Sequence, residues 1–188
     1  MTTIEPTRLA ASLILAAAML ATRQFHFGSL PDASWAVFFL GGFYLNRYAV
    51  FAVFMTGAVG IDYIATAHLG ISSYCLSPAY VFLLPSYGAL WLGGRWARQH
   101  WQGAQFGGLV RLGASLLLSA SACFLISNAS FYWLSGRVAT PSLTGWLANF
   151  LAWYPSFLAV PCVYVAVAMM ADAISVHWAR SVHRRTQY

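Results

Sequence analysis

The 188-residue chain contains no lysine: its ten basic side chains are all arginine, and only four acidic residues oppose them. Charged residues make up 7% of the chain, against about a quarter in soluble domains, so it cannot cover itself with a water-facing surface. No Cys-x-x-C pair occurs, which disfavours a membrane disulfide-exchange protein. The lack of a Walker-type glycine loop excludes transport driven by the chain's own ATP hydrolysis. Internal repeats of the inverted kind found in secondary transporters are missing too, as are heptads and low-complexity segments. No histidine falls in the middle of an apolar run, which disfavours a haem held between helices. What is present is 60% hydrophobic residues, 16% aromatic residues and a mean hydropathy of +0.66. Residues 1–188 read as one integral membrane domain. The net charge of +6 does not point to nucleic acid, because the arginines sit between apolar runs and at the C-terminus, where they face anionic lipid.

A helix needs about 20 apolar residues to cross the hydrocarbon core. Spans are predicted near 9–27, 48–67, 78–96, 107–133 and 150–178, with a shorter sixth near 34–46 that carries Gly41-Gly42. The run from Leu9 to Ala21 follows Arg8 like a signal peptide, but no small-x-small site precedes Thr22, and it is expected to remain as a first membrane helix. The fold class is therefore all-α, a bundle of six transmembrane helices with both termini cytoplasmic. Arg8, Arg47, Arg95, Arg98, Arg111, Arg180, Arg184 and Arg185 then lie inside, and Arg23 and Arg137 outside, eight against two as the positive-inside rule requires. A five-helix alternative moves only Arg8, Arg23 and Arg47. In both, the loops holding Cys75 and Arg137 face outward. On the first helix, Ala17 and Ala21 form a small-xxx-small pair, suited to internal packing or to a partner membrane protein.

Cys75 is the one cysteine outside an apolar helix. An unpaired thiol on the oxidising side of a membrane is a liability unless it does covalent chemistry or binds a soft metal. Ser77-Pro78 reads as an N-cap followed by proline at the first helical position. That would put the thiol near a positive helix end, which favours thiolate. Cys123 and Cys162 sit among apolar neighbours and read as small core residues. Asp62 falls within the outer third of a span, where an ionisable group is costly. It is expected either to pair with Arg137 or His26 or to touch a ligand. Asp172, near His177 and Arg180, reads as an interfacial charge partner. Most aromatics suit an interfacial belt. Tyr74, Tyr80, Tyr87, Tyr132, Trp133, Trp146 and Tyr154 remain as an outward group suited to a large, flat, partly apolar ligand.

The six-helix, alanine-rich plan resembles the substrate-binding S-components of ECF-type vitamin transporters. The segment from Ser72 to Tyr80, with Gly60-Ile61-Asp62-Tyr63 before it, is more narrowly similar to the solitary cobalamin transporters known as BtuM. The resemblance implies a cobalamin cavity open to the periplasm of a bacterial inner membrane. It makes Cys75 the axial ligand to cobalt of the transported corrinoid, able to displace an upper ligand such as cyanide, and puts Asp62 and Tyr80 in the cavity. Tyr74, Tyr87, His26 and Arg137 join them by their place at the outer face. The surface of Ala17 and Ala21 would be the analogue of the one that docks on an energising membrane module.

Three other readings compete. One is an S-component for a different vitamin, with Cys75 incidental. Another is a membrane thiol enzyme with a Cys75 nucleophile and His68 as base, and the last is a structural membrane subunit.

Overall fold

A computed structural model describes residues 6–23, 31–68 and 77–185, and every regular element among them is helical. Six α-helices follow in order: α1 (Pro6–Arg23), α2 (Ser34–Tyr44), α3 (Tyr48–His68), α4 (Leu83–Gln99), α5 (Phe106–Leu134) and α6 (Leu143–Arg185). A short 3-10 helix, Pro78–Phe82, leads into α4. The helices α3, α5 and the Leu143–Ser175 part of α6 are long and apolar enough to cross a membrane. The segment expected near 34–46 is a helix of 11 residues. At roughly 16 Å it covers only about half of the hydrocarbon core.

Burial compensates for that shortness. Nine of the 11 residues of α2 are buried, Ser34 and the stretch from Ala36 to Phe43. The packing is made possible by two glycine pairs, Gly41-Gly42 on α2 and Gly93-Gly94 on α4. A methyl group at Gly42 would run into the carbonyl of Trp91, and one at Gly94 into the carbonyl of Phe39. The two backbones therefore touch directly, as small residues allow in membrane bundles. On the far side of α4, Ser115 of α5 donates its hydroxyl to the Gly93 carbonyl at 2.7 Å. Together α2, α4 and α5 form the core of the bundle. Trp91 anchors it, 1% exposed and met edge-on by Phe51 and Phe54 of α3.

The remaining helices flank this core. α1 contributes Leu15 and Met19, and α3 contributes Phe54, Ala58 and Ile61. α6 joins α5 through Ser121 with Tyr154 (2.7 Å) and Asn128 with Asn149 (2.9 Å), beside the rings of Phe124, Phe150 and Phe157. Nearer the start of α5 the two helices part, leaving an apolar groove of about 470 Å³ lined by Leu112, Gly113, Leu116, Cys162, Val165 and Met169. Cys123 is fully buried, as a small core residue should be.

Two boundaries differ from expectation. Ser77 does stand at an N-cap and Pro78 does follow it, but the helix they open is 3-10, and the Ser77 hydroxyl does not cap it; it is buried without a partner among the described residues. α6 begins seven residues before the predicted span and continues seven beyond it. Its early turns mix Thr144, Asn149 and aromatics, so apolarity alone does not mark their start. Asp172 makes no ion pair among the described residues.

Candidate functional site

Arg23 ends α1 at the face where the short α2 begins. Positive-inside reasoning makes it one of two arginines on the outer side, where an exposed surface position would be ordinary. It is instead one of the most buried polar residues, 4% exposed. Its Nε donates to Asp62 Oδ1 at 2.7 Å and its Nη2 to Asp62 Oδ2 at 2.6 Å. This is the bidentate fork that arginine and carboxylate form best. Its Nη1 donates to the hydroxyls of Ser34 and Tyr87, both at 2.9 Å, and stands 3.7 Å from Asp32 Oδ2. One guanidinium therefore joins α1, α2, α3 and α4.

Local sequence explains each partner's position. Asp32 accepts from both the backbone N–H and the hydroxyl of Ser34, at 2.9 and 2.6 Å, which fixes the first turn of α2. Thr22 adds to this by accepting the Ala33 N–H at 3.0 Å. Asp62 lies two turns before the end of α3. Tyr80, on the 3-10 helix, donates its hydroxyl to Asp62 Oδ2 at 2.7 Å. Tyr87 stacks on Phe38 with centroids 4.3 Å apart, so its ring belongs to the core while its hydroxyl reaches the charges.

Asp62, Tyr80 and Tyr87 are thus brought together, but among the described residues the charged partner of Asp62 is Arg23 and not Arg137. Arg137 lies exposed in the α5–α6 turn, its own N–H donating to Ser135 Oγ at 3.2 Å. Cys75, Tyr74 and His26 lie outside the described residues. The sequence reading missed Arg23, Asp32 and Ser34 as members of one cluster. The available signal was Arg23 itself, an arginine at the outer end of an apolar helix, with Asp32-Ala33-Ser34 at the start of the next.

With its carboxylates ionised, the cluster carries one positive charge against two negative. Arg23 spends four donor contacts inside it, so the guanidinium is not free to clamp an anion. Asp62 and Asp32 keep a fraction of their surface, with side chains 19% and 21% exposed. They suit hydrogen-bond donors arriving from outside. Among the described residues no group of three or more His, Cys, Asp and Glu could hold a metal ion. No family model matches the chain, and no curated protein matches it.

Proposed function

We propose that the chain takes up cobalamin or a related corrinoid across a bacterial inner membrane, binding it at the outer, periplasmic end of a six-helix bundle whose termini are cytoplasmic. Cys75 is the axial ligand to the substrate's cobalt. What carries the reading is the contact between Asp62 and Tyr80. These are the residues on either side of Cys75 that the resemblance places in the cavity, and they meet in one partly exposed cluster. Tyr87 and Arg23 support that cluster from below.

The chemistry follows from the residue types. A thiolate is a good ligand for a soft metal centre, and its bond to the substrate's cobalt would form as the bond to an upper ligand such as cyanide breaks, the cyanide leaving as the free anion with no change of oxidation state. Carboxylates and phenols at the rim suit the amide donors and acceptors at a corrin edge. Ala17 and Ala21, both exposed on α1, leave a small-residue face for an energising membrane partner.

The deciding experiment is the visible spectrum of the detergent-purified protein incubated with cyanocobalamin, wild type beside Cys75→Ser. A bound corrinoid with a shifted spectrum in wild type alone is expected. Unshifted binding in both proteins removes the cysteine from the mechanism, and binding in neither removes the corrinoid.

A further inference from the structure

At the end of the bundle away from the Arg23 cluster, three arginines surround the turn between α2 and α3. Arg95 and Arg98 stand one turn apart on α4 and so share a face of that helix. The Arg95 guanidinium lies over the ring of Tyr48, 4.5 Å from its centroid. That of Arg98 lies over the ring of Phe43, at 5.5 Å. Phe43 and Tyr48 bracket the turn of Leu45, Asn46 and Arg47, in which Asn46 takes the left-handed conformation at φ 51°. Arg47 is exposed at the tip.

Among the described residues none of the three forms an ion pair. The Nη1 of Arg95 is buried and has no hydrogen-bond partner among the described residues, which is costly for a charged donor. Among the described residues Asp172 is the acid at this end, and it pairs with none of them. The C-terminus of α2 turns the equivalent of about half a negative charge toward the group, too little to balance three guanidiniums. Aromatic faces hold two of the arginines in place without neutralising them. An anion with several acceptor oxygens would do both.

We propose that Arg47, Arg95 and Arg98 form a seat for a phosphate group, supplied in the membrane by the headgroup of an anionic phospholipid. Phosphate oxygens match the forked donors of arginine. Tyr48 is 64% exposed and stands at the first turn of α3, where a spanning helix meets the headgroup layer. The seat is separate from the corrinoid reading and stands or falls without it.

Native mass spectrometry of the full chain in detergent, titrated with dioleoyl phosphatidylglycerol or dioleoyl phosphatidylcholine, tests this directly. The wild type is expected to retain phosphatidylglycerol preferentially. Arg47→Gln and Arg98→Gln, both at exposed positions, are each expected to lower that preference about fivefold. Arg95→Gln should do the same, and Arg137→Gln, in the α5–α6 turn, should leave it unchanged. Competition with inorganic phosphate separates two sources of the same chemistry. Displacement means that the seat takes free phosphate, and resistance means that it needs the whole lipid. Equal retention of the two lipids by wild type would overturn the proposal and leave the arginines to an acidic protein surface. Full preference in the Arg47→Gln/Arg98→Gln double variant would overturn it as well.

Discussion

Arg23 and Asp62 are 39 residues apart in sequence and joined by two charge-assisted hydrogen bonds. Removing one member of such a buried pair leaves the other uncompensated, which costs more than the pair is worth. Asp62→Asn should therefore lower stability by about 3–5 kcal/mol, read as a fall in the thermal unfolding temperature in detergent. An Arg23→Met/Asp62→Leu double variant should regain only part of that loss, because it removes the stranded guanidinium but leaves Asp32 without its ion pair and the hydroxyls of Ser34, Tyr80 and Tyr87 short of a partner. If the double variant is as unstable as Asp62→Asn, the cluster is held by something other than its charges. Asp62 was legible in the sequence because an ionisable group at membrane depth needs a reason to be there. Its partner was not. An arginine at a helix end reads as an interfacial residue, and only the return of the chain at Asp32 and Ser34 brings it into the bundle.

Among the helices, α2 shows how composition can mislead. Its length and its Gly41-Gly42 pair mark it as the weakest span, yet nearly all of it is buried. The glycines that lower helix propensity are what let α4 approach. Gly42→Ala and Gly94→Ala should each destabilise by about 1–3 kcal/mol or more, since a backbone carbonyl must move to admit the methyl group. Gly60→Ala is the control: a Cβ there meets nothing within 4 Å, and the change should be neutral or stabilising by up to about 1 kcal/mol. Denaturant or thermal unfolding of the three variants would check the ranking. The long apolar helices α3, α5 and α6 were legible from hydropathy. The pairing of Gly41-Gly42 with Gly93-Gly94 was not, because periodicity along one helix does not say which other helix it meets.

For the whole molecule, the two turns that flank α5 are the most direct probes of how the chain lies in a bilayer. Gln102 in the α4–α5 turn and Thr140 in the α5–α6 turn are both exposed. With Gln102→Cys or Thr140→Cys placed in a cysteine-free chain, a membrane-impermeant maleimide should label Thr140→Cys on intact cells. Gln102→Cys should label only after permeabilisation. Labelling of both from the same side would mean that α5 does not cross, despite its 29 residues. The proposed orientation rests on the distribution of the arginines along the sequence, and this labelling is what tests it. The relief at the Arg23 end of the bundle was not legible in the sequence, since it comes from differences in helix length. The ring of Trp35, at the start of α2, lies 6.4 Å from that of Phe124. From Phe124, α5 climbs another ten residues to Leu134, about 15 Å.

The two ends of α2 carry Asp32 and Ser34 on one side and Asn46 and Arg47 on the other. Polar side chains at its two ends thus stand roughly 16 Å apart, about half the thickness of a bilayer's hydrocarbon core. In the six-helix arrangement proposed above, α2 would be an electrically thin element. A membrane voltage falling across α2 alone gives a local field about twice that of the surrounding lipid, with the same total of about 2.3 kcal/mol per charge per 100 mV. A charged group shifting by one helical turn beside α2 would cross about a third of that drop.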